Sequence, residues 1–121
     1  MDIFTLLFFL STVHLSYQEV ADLNTLCDQV GVLFNKGCSG LTAKVLGLPY
    51  KTTRYYRYGA SIDDYSLAQG TLVGWPGHVA FYAGGACGRG CEFVNVQGPG
   101  HVARCQRSLG SGVRFAYYNY N

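Results

Sequence analysis

The side chain best placed to do chemistry is a thiol at a turn. Cys38 lies in Gly37-Cys38-Ser39-Gly40-Leu41-Thr42-Ala43-Lys44-Val45-Leu46-Gly47-Leu48-Pro49, which reads as a turn and a short helix carrying Leu41, Val45 and Leu46. Gly47 suits the left-handed position past a helix, and Pro49 cannot continue one. Cys38 is therefore expected at a helix N-terminus, where the backbone dipole stabilises a thiolate and makes the sulfur a nucleophile near neutral pH. A base could come from Gly77-His78-Val79-Ala80-Phe81-Tyr82, where strand alternation sets His78, Ala80 and Tyr82 on one face and Val79, Phe81 and Ala83 on the other. A third polar group, Asn95 in Phe93-Val94-Asn95-Val96-Gln97, could fix the imidazole tautomer if its strand pairs with that of His78. Each signal has a plainer reading: a helix that happens to start with cysteine, a surface histidine after Pro-Gly, an exposed strand amide.

The elements needed to position these groups follow from periodicity. Glu19 to Phe34 places Val20, Leu23, Leu26, Val30 and Leu33 at spacings of three and four, which predicts an amphipathic packing helix. Tyr50 to Gln69 has no clear pattern and reads as an irregular connection or an edge segment. Thr71–Trp75, Val79–Ala83, Glu92–Gln97 and Val113–Tyr120 are apolar or aromatic runs between glycine-rich turns, expected to be antiparallel strands. Helices followed by strands give an α+β class, and 121 residues suffice for a single domain.

The apolar block at the N-terminus, too short for a confident membrane span, is expected to be a secretory signal peptide covering residues 1–17, with one domain over 18–121. A buried N-terminal helix is its alternative. Without that leader the chain keeps nine basic and six acidic side chains. That surplus suits an anionic polymer but lacks the dense basic run of a nucleic-acid binder. The expectation is a secreted monomer with no nucleic-acid partner and no stable membrane insertion. An odd number of cysteines in an exported chain allows two bridges and one free thiol.

Taken together, Cys38-Ser39-Gly40-Leu41, Gly70-Thr71-Leu72-Val73, Gly77-His78-Val79 and Asn95 after Phe93-Val94 resemble, in order, the motifs of the NlpC/P60 family of papain-like cell-wall peptidases. Gly37 stands where an Asp commonly precedes the cysteine, and Thr71 replaces the usual acid. The resemblance implies a papain-like fold with N-terminal helices packed on an antiparallel sheet. It also implies catalytic roles for Cys38 as nucleophile, His78 as base and Asn95 as orienting residue. The substrate it implies is bacterial peptidoglycan, cut at stem-peptide or cross-link amides, with no cofactor or metal. The small size and exported character are similar to interbacterial amidase effectors and their domesticated secreted relatives in animals, which implies an antibacterial role.

With Cys38 free, Cys27, Cys87, Cys91 and Cys105 remain for disulfides, in three possible pairings. The preferred one joins Cys87 to Cys91 across a turn and Cys27 to Cys105 between the first helix and the sheet. Competing uses remain. Cys87 and Cys91 have a two-ligand zinc spacing, with only His101 and Cys105 downstream to complete it. His101, after Gly98-Pro99-Gly100, is a rival base. Arg54 to Tyr58 could stack on sugars or form a solvated edge. The reading from another class is a non-enzymatic, disulfide-stabilised secreted binding or toxin-like module.

Overall fold

The computed structural model describes residues 19–62 and 66–121; the expected signal peptide lies outside them. Helix α1, Leu23–Cys27, begins at Asp22, whose carboxylate accepts from the Thr25 backbone N–H at 3.0 Å and the Thr25 hydroxyl at 2.8 Å. These bonds hold the Asp22 carboxyl below its ordinary range.

The long helix predicted over Glu19 to Phe34 does not form. Val20 makes an isolated bridge to Thr71, the chain turns at Gly31, and strand β1, Leu33–Phe34, pairs with β6, His101–Val102. The Gly31 N–H reaches the Ala103 carbonyl at 2.7 Å, so sheet pairing takes the backbone groups that a continued helix would have used. Of the five apolar positions counted toward that helix, Val20 (37% exposed), Val30 (39%) and Leu33 (55%) face solvent, and only Leu26 is fully buried.

Helix α2, Gly37–Leu46, ends where the sequence predicts. Gly47 adopts φ +66° and its N–H bonds to the Ala43 carbonyl. A 3₁₀ turn at Thr53–Tyr55 leads into β2, Arg57–Ser61. The remaining strands are β3, Leu72–Trp75; β4, His78–Tyr82; β5, Phe93–Asn95; β7, Arg104–Gln106; and β8, Arg114–Tyr117. Six of the strands form one antiparallel sheet in the order β2-β8-β3-β4-β5-β7, and β1 and β6 form a second, two-stranded one. The stretch read as a possible edge segment supplies the edge strand β2.

Both faces of the central strands are covered. Val79, Phe81, Val94 and Val96 join Leu26, Leu41 and Val45 in the main core, which packs α2 against the sheet. Ala80, Tyr82 and Phe93 join Val73 and Val113 in a smaller cluster on the other face. The fold is thus mixed α/β with sheet predominating. Among the described residues no helix is long and apolar enough to cross a membrane.

The four cysteines offered for bridges are all oxidised, but not in the preferred pairing. Cys27 joins Cys87, and Cys91 joins Cys105. The loop between β4 and β5 folds back on itself, with Gly85 N–H to the Cys91 carbonyl at 2.9 Å and Cys91 N–H to the Gly88 carbonyl at 3.1 Å. Cys87, within this fold-back, bridges to the end of α1, while Cys91, at the entry to β5, bridges to the neighbouring β7. Chain entropy alone assigns about 4 kcal/mol to the 60-residue separation and about 3 kcal/mol to the 14-residue one.

Candidate active site

Cys38 is the free cysteine, in the first turn of α2 and only 9% exposed. Gly37 explains its placement. It has φ +69°, and a Cβ there would stand 3.0 Å from the Pro99 nitrogen and 3.2 Å from the Gly98 carbonyl carbon. The loop before β6 therefore packs directly on the start of the helix, and the acid common in the resembling family would have no room. That loop is pinned in turn by the Gly100 N–H on the Phe34 carbonyl at 2.9 Å.

His78 is set by a two-residue turn. Pro76-Gly77 joins β3 to β4, Gly77 has φ +100°, and Trp75 pairs directly with His78. The indole stacks on the imidazole, with centroids 4.8 Å apart and planes 28° from parallel. As the first residue of β4, His78 sits at the end of the sheet, where the ring can reach the start of α2.

Asn95 comes from the next strand. The register Tyr82↔Phe93 and Phe81↔Val94, continued by one residue, sets Asn95 opposite Ala80 on the face shared with His78. Asn95 is 5% exposed, and its Oδ1 lies 2.6 Å from His78 Nε2. The other half of the amide decides the polarity of this bond. Asn95 Nδ2 donates to Gln106 Oε1 at 2.6 Å, so Oδ1 faces the ring and accepts from Nε2–H. This tautomer leaves Nδ1 unprotonated, and the imidazole interacts electrostatically with the Cys38 thiol, which links Cys38, His78, Asn95 and Gln106 in series.

The electrostatics follow from these contacts. Burial opposes ionisation of the Cys38 thiol. It is outweighed by the hydrogen bond with His78, the Val79 N–H, the His78 charge and the Ser39 N–H, so the thiol titrates below its ordinary value. The hydrogen bond with Cys38 raises His78 above the ordinary imidazole range, burial works against it, and the Asn95 bond and the thiolate charge add to the rise. The two shifts run in opposite directions and favour a thiolate–imidazolium pair. No protein family, curated protein or solved structure matches the chain. The chemistry of the site rests on its own residues.

Two tyrosines that sequence reasoning left as sugar-stacking groups or a solvated edge border this site instead. Burial pushes the Tyr58 phenol up to about 12, the Gly77 N–H opposes that rise, and the Cys38 charge adds to it. Its hydroxyl donates to the Thr53 carbonyl at 3.1 Å. Tyr56 is more deeply buried, and desolvation drives its phenol well above the ordinary range. The nearby Thr42 hydroxyl gives its own proton to the Cys38 carbonyl at 3.0 Å, and the Tyr56 hydroxyl finds no partner in hydrogen-bond geometry. Arg54 and Tyr55, in contrast, are exposed and stack on each other.

The rival groups fall elsewhere. His101 is exposed, in the two-stranded sheet, and takes no part in the contacts around Cys38. Cys87 and Cys91 each commit their sulfur to a disulfide, and no cluster of three or more metal-binding side chains occurs among the described residues. Sequence reasoning missed Trp75 and Gln106. The hairpin signal at Pro76-Gly77 could have placed the first opposite His78; nothing local marks the second.

Proposed function

We propose that this protein is a secreted cysteine hydrolase of the papain-like NlpC/P60 type, cutting stem-peptide or cross-link amides in bacterial peptidoglycan. The observation that carries the reading is the chain Cys38–His78–Asn95, built around the free cysteine and held in the tautomer that leaves Nδ1 toward sulfur. A cysteine-bearing helix packed on a histidine-bearing antiparallel sheet supports the papain-like assignment, and two disulfides are typical of secreted chains. Peptidoglycan as substrate rests on the motif resemblance and on the modest basic surplus. An antibacterial role follows from that substrate.

In this mechanism the Cys38 thiolate attacks the amide carbonyl, and the tetrahedral oxyanion forms beside the first N–H groups of α2, which have no intrahelical acceptor. Collapse breaks the C–N bond. The imidazolium of His78 gives its proton to the departing amine, leaving a thioester on Cys38. The neutral imidazole then takes a proton from water, hydroxide adds to the thioester, and the carboxylic acid product leaves as the thiol–imidazole pair is restored. Asn95 accepts from Nε2–H throughout and keeps the ring in place.

Mass spectrometry of purified sacculi incubated with the chain from residue 18 onward tests the proposal. New stem-peptide fragments with wild type and none with Cys38→Ala are expected. Fragments that persist in Cys38→Ala, or wall binding with no release from either lysine-type or diaminopimelate-type sacculi, would overturn it, the latter in favour of a binding module.

A further inference from the structure

Behind Asn95 stands a side chain for which the three-residue reading has no use. Gln106, half-buried on β7, accepts from Asn95 Nδ2 through Oε1. Phe93 pairs with Gln106 and Asn95 with Arg104, which puts Gln106 on the face that Asn95 shares with His78. We infer that Gln106 is a positioning residue of the site, fixing which end of the Asn95 amide meets the imidazole. The inference rests on the Cys–His reading above.

The physical need is specific. A primary amide is nearly symmetric in shape but opposite in polarity at its two ends. With Oδ1 toward Nε2, the ring carries its proton on Nε2 and offers Nδ1 to the thiol. With Nδ2 turned toward the ring instead, Nε2 would have to accept, the neutral proton would move to Nδ1, and that nitrogen could no longer take a proton from Cys38. Nothing in the His78–Asn95 contact itself prevents this rotation. The acceptor Oε1 of Gln106 opposes it, because an inverted Asn95 amide would set two oxygens against each other unless the Gln106 amide turned with it. The adjacent Cys105 ties β7 to Cys91 at the start of β5, so the residue holding the amide is anchored covalently beside the strand it serves.

The test needs no substrate. Iodoacetamide alkylation of the full mature chain, followed from pH 4 to 10, reads thiolate at Cys38. Gln106→Met removes the acceptor at similar volume. Gln106→Asn keeps a polar strand residue but draws the acceptor back by one methylene, so a usable variant remains if the first fails to fold. Gln106→Glu keeps an acceptor in reach. Expected are a loss of about two- to fourfold in alkylation rate near pH 6 in the Met and Asn variants, smaller than that from removing His78 itself, and retention in the Glu variant. Neither the Met nor the Asn change should add any loss in an Asn95→Ala background. Equal losses in the Glu and Met variants, a further loss on top of Asn95→Ala, or wild-type profiles in the Met and Asn variants would overturn the inference. A wild-type thiol that alkylates only at alkaline pH would instead sink the underlying dyad, which separates the two failures.

Discussion

Replacing His78 by Ala isolates what the imidazole contributes to the sulfur. In the native site Cys38 ionises below its ordinary value despite being buried, with the His78 hydrogen bond the largest opposing influence. A hydrogen bond to a charged group contributes about 1.5–3 kcal/mol, equivalent to roughly a 10- to 150-fold change in thiolate population at fixed pH. Without it, burial is opposed only by the Val79 and Ser39 N–H groups, and the thiol moves back up toward the ordinary thiol range. A more basic thiolate is also a better nucleophile, with a Brønsted slope of about 0.4–0.5, so the alkylation rate falls less than the population, by about 3- to 15-fold. Amide turnover falls further because the proton donor to the leaving amine is lost, by about 100- to 10,000-fold. Iodoacetamide kinetics at pH 6 and fragment release from sacculi read the two effects separately, with His101→Ala as the control expected to keep wild-type values in both. Unchanged alkylation in His78→Ala, or a comparable loss in His101→Ala, would refute the assignment of the base.

Activity should follow a bell-shaped pH profile, rising as pH increases through the Cys38 titration, below the ordinary thiol range, and falling as it passes the His78 titration, above the ordinary imidazole range; initial rates from pH 4 to 10 check both limbs. Tyr56→Phe removes a buried hydroxyl without a hydrogen-bond partner and is expected to leave stability unchanged or raise it by up to about 1 kcal/mol, read from urea denaturation. Replacing Cys27 and Cys87 together by Ala opens the longer covalent loop and should cost about 4 kcal/mol in the same assay, more than the equivalent change at Cys91 and Cys105. Under non-reducing denaturation the wild-type chain should yield one alkylatable thiol, mapped to Cys38 by peptide mass.

Local chemistry made part of this molecule legible. Gly47 and Pro49 announce the end of α2, and Pro76-Gly77 announces the hairpin that presents His78; both signals act within a few residues of the feature they mark. The stretch from Glu19 to Phe34 misleads because its helical spacing is spread over a bridge at Val20, a short helix and the strand β1. Leu33 belongs to that pattern by position, yet tertiary pairing with Val102 leaves it exposed. Strands β6 and β7 lack an apolar run to reveal them. His101, Arg104 and Cys105 are exposed, and both strands exist because partners far along the chain lie beside them. Gln106 inherits that obscurity, since its role depends on β7 lying against β5. The disulfide pairing was illegible for a related reason: four cysteines allow three solutions, and the route of the loop through Cys87 selects among them.

The chain contains a single tryptophan, Trp75, and its indole lies flat against the imidazole of His78. A protonated imidazole in that position drains the excited state of the indole and binds its ring face as a cation. Intrinsic emission therefore becomes a meter for the charge on one chosen ring, with no competing fluorophore of the same kind to subtract. A plain fluorescence titration can watch His78 gain and lose its proton before any substrate has been found.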